Sequence, residues 1–347
     1  MQIVLADETY RDIWDSYVLQ HPGGVAYQLF GWKNACRDGY GLDCLYLLAL
    51  ENGTPRGILP LIRFKIPFQK QRLISLPYCD VGGILADNDQ VAESLLERAV
   101  LEARFHNITH LELRDTENSK SLSSSDVSGN MKVRMVLELP GSSDKLLMGL
   151  KSKLRSQVRK PARDGLSCRL GGTELVDEFY AIFTRNMRDL GSPVHSREWI
   201  SAIVDHYDRR ARVGVVYTQK GEPAAAGIIL MTDKMVSIPW ASSLRHLNRQ
   251  NPNMLLYWTF LSFAADNDFQ YFDFGRSTPG EGTYRFKEQW GANPVPLKWQ
   301  IYDDAAPVPA TVGGPSAARQ VVEKAWRVMP QSFCNILGPG LRRYISL

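Results

Sequence analysis

The feature that most constrains this chain is that it resembles itself. Leu45 to Ile62, LYLLALENGTPRGILPLI, and Val213 to Met231, VGVVYTQKGEPAAAGIILM, both read as a strand, a glycine-proline turn and a second strand. Glycine supplies the turn and proline sets the start of the returning strand. Each hairpin is followed by a helical pattern, VAESLLERAVLEARFHN in the first half and NMLLYWTFLSFAADN in the second. Each helix leads to a strand carrying an acid, Glu112 in HLELR and Asp273 in YFDFG. Gly53 and Gly221 lie 168 residues apart, and the two acids 161 apart. So nearly constant an offset over two landmarks reads as a duplicated domain, with a chance match of common hairpin chemistry as the alternative.

Each half then reads as strand, helix pair, antiparallel strands, helix and strand, an α/β class (α+β mixed sheets) with helices covering a sheet. The expected divisions are 1–140, 141–302 and a 303–347 linker and tail with a short helix near Arg319 to Met329. The serine-rich stretch Glu117 to Asn130 reads as a mobile loop inside the first half. With 347 residues, 44% hydrophobic and 22% charged, the chain can build two cores. No apolar run reaches transmembrane length, and the acidic MQIVLADETYRDIWD does not read as a signal peptide, so the expectation is a cytoplasmic protein. Five widely spaced cysteines argue for reduced thiols, and six histidines without metal-ligand spacing argue against a metal site.

The richest segment for chemistry is Phe269 to Gly291, FQYFDFGRSTPGEGTYRFKEQWG, where an apolar strand ends in a loop of glycines, cations and rings. It fails three familiar patterns: the dinucleotide glycine motif, the nucleophile elbow and the kinase signature set. Its mix of cations and aromatics suits an anionic ligand. Arg276, Arg285 and Lys287 read as a clamp, with Trp240 and Trp290 walling a cleft. Asp273 reads as a base or amine-orienting group, or else as a structural carboxylate; Tyr284 reads as an oxyanion donor or proton shuttle, or else as packing. The basic stretch KSKLRSQVRKPAR, residues 151–163, aligns Arg155, Arg159 and Arg163 on one helical stripe beside Leu154, Val158 and Ala162. Like charges at that spacing repel, which suggests either an anionic partner or a solvated face. Pro161 is expected to kink or end the helix.

Together NMRDLGSPVHS, SKLRSQVRKPARDGL and YFDFGRSTPGEGTYRFKEQWGA with the following PVPLKWQ resemble the FemAB-like proteins, particularly those associated with exosortase and PEP-CTERM systems. The resemblance extends to the NILGPGLRRY tail. It implies two tandem domains of the GNAT (N-acetyltransferase) fold. It also implies an acyl or aminoacyl transferase that moves an activated group to an amine of a cell-envelope or exopolysaccharide precursor. No tightly bound cofactor is implied; acyl-CoA and aminoacyl-tRNA stand open as co-substrates, and tRNA as a partner. At the family's phosphate-binding glycine loop this chain reads Arg249-Gln250-Asn251-Pro252-Asn253, with no glycine and with one amide hydrogen fewer at Pro252.

On the first half, the resemblance assigns Pro77 to Gly83, with Tyr78 and Asp80, to an anionic or lipid-linked sugar or peptide acceptor. The alternative from another class is a non-catalytic double module that binds an anionic glycan or lipid-linked sugar as a scaffold. The tail alternates Phe333, Ile336, Leu337, Leu341, Tyr344 and Ile345 with Arg342 and Arg343, a pattern for contact with the inner face of the membrane. Pro339 and Gly340 are expected to break it into short pieces that pack on the domains.

Overall fold

The computed structural model describes residues 1–116, 132–304, 306–308 and 317–346, so the serine-rich stretch lies outside the described residues. The first half runs β1 (Gln2–Leu5), α1 (Arg11–Gln20), α2 (Phe30–Tyr40), β2 (Asp43–Glu51), β3 (Thr54–Phe64), β4 (Arg72–Ile74), β5 (Leu85–Ala86), α3 (Asp89–Phe105) and β6 (His110–Thr116). Then come β7 (Val133–Glu138), α4 (Ser143–Gly149), α5 (Ser152–Arg163), β8 (Ser167–Gly171), α6 (Val176–Leu190), α7 (Arg197–Tyr207), β9 (Ala211–Tyr217), β10 (Pro223–Met231) and β11 (Met235–Ser243). The chain ends with α8 (Pro252–Asp266), β12 (Tyr271–Ser277), α9 (Gly282–Glu288), β13 (Asn293–Asp303), β14 (Ala306–Val308), α10 (Ala317–Val328) and α11 (Gln331–Arg342).

The duplication read from the hairpins is present in the strand order. One half places β1, β2, β3 and β4 side by side and antiparallel, the other β8, β9, β10 and β11. Each meander then meets a parallel neighbour, β6 beside β4 and β12 beside β11. Gly53 and Gly221 both sit at φ near +80°, where a side chain would be strained, as tight turns require. The equivalence holds to the residue: Ile74 faces Glu112, and Ser237 faces Asp273, as the last partners of each parallel pair.

One strand joins the halves. Asn293–Pro296 of β13 pairs with β7, and Leu297–Asp303 pairs with β6, so a single sheet order runs from β1 to β8. The pairing crosses the division expected at 140: β7 precedes it yet bonds to β12, while β13 follows it and completes the first half's edge.

Side chains alternate across this sheet with period two. Tyr46, Leu48, Ile58 and Ile62 join Ala226, Ile228 and Leu230 in one core with α1, α2, α6 and α7, which therefore spans both halves. Leu47, Leu59 and Leu61 face α3 on the other side. Ala225, Ile229 and Met231 face α4, α5 and α8. Helix α8 lies close because Gly214 and Gly227 have no side chain: a Cβ there would come within 2.7 Å and 2.9 Å of the Phe260 ring. The stop read at Gly191 is a left-handed C-cap, φ 81°, on α6.

Two expectations are corrected. Pro161 falls in the last turn of α5, which continues to Arg163, and Pro339 falls in the last turn of α11, which continues to Arg342. So late in a helix, proline removes one bond and leaves most of the ladder intact. All five cysteines are free.

Gly214→Ala is expected to lower unfolding stability by about 1–3 kcal/mol through overpacking. The penalty should be smaller when introduced into a Phe260→Leu background; equal penalties in a chemical-denaturation double-mutant cycle would show that Phe260 is not the obstacle.

Candidate functional site

Parallel pairing of β11 with β12 lasts for three residues and ends at Ser237 and Asp273, after which the strands part. Strands that part leave backbone and side-chain groups without ladder partners, and here the gap is lined from both halves. Gly275 adopts φ +72° at the bulge of β12 against β7. Its amide donates to Asp273 Oδ1 at 2.8 Å, while its carbonyl and that of Arg276 accept from Lys287 Nζ at 3.0 and 2.7 Å. A Cβ added to Gly275 would meet nothing closer than 3.9 Å, so it is the backbone conformation that calls for glycine.

Asp80, from the first half, binds Arg276 twice: it accepts from the amide at 3.2 Å and pairs with the guanidinium at 3.3 Å. The Asp80 carbonyl accepts from Trp299 Nε1 at 3.1 Å. The guanidinium groups of Arg114 and Arg276 lie 4.7 and 5.9 Å from the centre of the Trp299 ring. Asp80, Asp273, Arg276 and Lys287 are thus brought together.

Both duplicated acids are buried against arginine. Glu112 meets Arg114 Nε at 2.7 Å, and Asp273 meets Arg134 Nε at 2.8 Å. Burial raises the Glu112 carboxyl, but His110 and Arg114 outweigh it and hold the group down at about 2. Asp273 is 2% exposed and its oxygens serve Arg134 and the Gly275 amide.

Lys287, on α9, is 8% exposed. Burial lowers its ammonium to about 8, against the upward pull of Asp273 and Asp80. It borders a cleft of about 280 Å³ formed by the end of β11 (Ala241, Ser242, Ser243), the first turns of α8 (Asn253, Tyr257), Asn186 of α6, and Gly282, Thr283 and Phe286 of α9. Ser242 Oγ is buried and has no hydrogen-bond partner among the described residues. Lys160 of α5 donates to the Arg249 carbonyl at 3.4 Å, so the basic helix flanks the turn that opens α8. A larger, open groove of about 650 Å³ lies along α1 and the β2–β3 turn, but its Tyr17 hydroxyl is already engaged by the Arg56 carbonyl and Asp87.

The other sequence candidates fall elsewhere. Trp240 does not wall the cleft: it stacks on Trp32, with centroids 6.5 Å apart and planes 6° apart, inside the shared core. Trp290 is buried beside Phe286, and Tyr284 lies in the same core with its hydroxyl pushed upward by burial. Arg285 donates to the Gly280 carbonyl in its own loop. Arg155 is spent on the carbonyls of Met148 and Leu150, and Arg159 stands exposed. Tyr78 is buried, with its hydroxyl on the Arg343 carbonyl and its amide on the Ser346 carbonyl. Sequence reasoning passed over Arg114, Arg134, Trp299 and Ser242. Of these, only the Ser242-Ser243 pair carried a signal, a polar end on an apolar strand.

A family model described as an acetyltransferase (GNAT) domain matches residues 150–288, the segment from α5 through α9. Among solved structures, FemX superposes with a TM-score of 0.66 at 14% identity, covering 88% of this chain and 96% of that one. A tandem GNAT protein from the clavulanic acid biosynthesis pathway gives 0.54 at 12%, covering 89% and 99%. The C-terminal domain of a putative lysylphosphatidylglycerol synthetase from Agrobacterium fabrum gives 0.55 at 13%, covering 92% and 97%. No curated protein sequence matches. At these identities the likeness is one of fold, and it agrees with two tandem GNAT-like halves of FemAB-like arrangement.

Arg134→Met leaves the Asp273 carboxylate buried and unpaired and is expected to cost about 3–5 kcal/mol in unfolding stability. Asp273→Asn in the same background should recover part of it, and a cycle with no coupling would remove the ion pair from the account of β12.

Proposed function

We propose that this protein is an N-acyltransferase whose donor carbonyl enters the cleft between β11, α8 and α9. One observation carries the reading: beyond the point where the parallel strands part, Lys287, with its buried ammonium, and Ser242, whose hydroxyl has no hydrogen-bond partner among the described residues, line the same cavity. A cationic donor and a neutral one at a low-dielectric site suit the oxyanion that forms when an amine attacks an ester or thioester carbonyl. Two of the three Lys287 protons are directed to the Gly275 and Arg276 carbonyls, and the third is left for the substrate.

Direct attack needs no enzyme nucleophile, and the cysteine thiols do not supply one: burial raises those of Cys36, Cys44, Cys79 and Cys168. In this reading Asp273 acts through others. It fixes the Gly275 amide and so the carbonyl that holds Lys287, rather than taking the amine proton. Arg276, held by Asp80, faces the acceptor side contributed by the first half. The phosphate-bearing part of the donor, acyl-CoA or aminoacyl-tRNA, runs toward Arg249 and the flanking basic helix with Arg159 and Lys160. The motif resemblance directs the acceptor toward an amine of a cell-envelope or exopolysaccharide precursor.

The reading is tested by label transfer from acyl-CoA and aminoacyl-tRNA donors to amine acceptors, with Lys287→Met as the diagnostic variant. Loss of one oxyanion donor should lower kcat by about 10²–10³ with folding retained. Because Lys287 must stay charged, kcat should fall as pH rises through about 8. A rate that climbs there instead would make the lysine a base, and transfer from neither donor would sink the proposal.

A further inference from the structure

Helix α11 is turned inside out. Its small residues, Cys334 and Gly338, face the protein, while Phe333, Ile336, Leu337 and Leu341 face solvent. Ile336 is 75% exposed. The close contact explains the small side: a Cβ on Gly338 would lie 3.1 Å from Val194 Cγ1, so the helix lies down on the α6–α7 connection. The exposed side is one stripe at helical spacing, continued past the helix by Ile345. Exposure of this kind on adjacent turns is an interaction surface rather than scattered surface apolarity.

A second apolar element adjoins it. Phe68 stands fully exposed at φ +61° on the tip of the turn between β3 and β4. That turn reaches the tail, because Ile66 and Pro67 share a small cavity with Arg343 and Tyr344. A bulky side chain in the left-handed region costs free energy, and Phe68 gains no packing among the described residues in return.

The charge around these residues selects the occupant. From Glu323 to Ser346 the sequence holds four cations, Lys324, Arg327, Arg342 and Arg343, against one acid, Glu323, and from Lys65 to Asp80 it holds Lys65, Lys70 and Arg72 against Asp80, which Arg276 engages. The nearby Asp43 is already matched by Lys65 and Arg63. No described helix is long and apolar enough to cross a membrane, so an apolar stripe with a basic border suits a surface contact. We propose that α11 and the Phe68 turn form a docking surface for the headgroup layer of an anionic membrane. Phe68, Ile336 and Leu337 would enter the acyl boundary while Lys70, Lys324 and Arg327 meet the lipid phosphates.

The surface does not depend on what the cleft transfers, and its test reads binding alone. The full chain is floated with vesicles of phosphatidylcholine and with vesicles containing about one third phosphatidylglycerol, at low and high salt. The wild type should bind the anionic vesicles at least about tenfold better, with the preference falling as salt screens the cations. Phe68→Ser with Ile336→Ser, both at exposed positions, should reduce anionic-vesicle binding about tenfold or more. Phe105→Ser, at an exposed phenylalanine on α3, should leave it unchanged. Absence of vesicle binding, or equal binding by the double variant, overturns the proposal. Sedimentation velocity covers the rival occupant: concentration-dependent self-association that the double variant abolishes, without vesicle binding, would assign the stripe to a second copy.

Discussion

The double pairing of β13 is the constraint on which the rest of this structure depends. Its first four residues complete the second half and its last seven complete the first, so neither half can satisfy the edge of its sheet alone. The same strand carries Trp299, which receives Arg114 on its ring and donates to Asp80. Asp80 in turn holds Arg276 of the second half. A first-half acid is therefore set beside a second-half cleft by the register of a strand near the end of the fold. The shared core beneath it, with α2 against α7, keeps the halves from moving independently.

Given that constraint, the cleft follows from strand geometry. Parallel neighbours that pair for three residues and then part must satisfy the freed groups in some other way. Gly275 does so by turning its amide toward Asp273 and its carbonyl toward Lys287, which couples a buried ion pair to a buried ammonium across one residue. Lys287 remains charged near neutrality because carbonyls and two carboxylates compensate part of its desolvation.

Much of the architecture was legible, because duplication writes local chemistry twice. The turn glycines, the α3 and α8 patterns and the acid at the third position of each parallel strand could all be read from spacing. Arg276 stood out as a cation next to glycine, and Lys287 as one among large rings. The partners did not. Arg134 lies 139 residues before Asp273 and Trp299 lies 219 residues after Asp80, and nothing in a local pattern reports a contact at such separation. Trp240 was misplaced for a related reason. A tryptophan on a strand belongs to whichever face its neighbours fill, and a register shift in β10 against β11 turns it toward Trp32 and His195.

The two halves began with equivalent openings and now use them differently. In the second, Ser242 and Lys287 border free volume. In the first, the chain beyond β4 is occupied by its own tail: the Ser346 carbonyl accepts from the Tyr78 amide at 2.6 Å and from buried Arg114 at 3.1 Å, and the Tyr78 hydroxyl donates to the Arg343 carbonyl. Arg114 is 1% exposed and already bonds Glu112 and Cys79, so the tail contributes one more acceptor to a guanidinium that would otherwise be less fully satisfied. Filling one opening with backbone anchors the chain that follows α11 at the same time. The asymmetry that leaves the second opening free and fills the first is therefore also what ties the end of α11 to the first half.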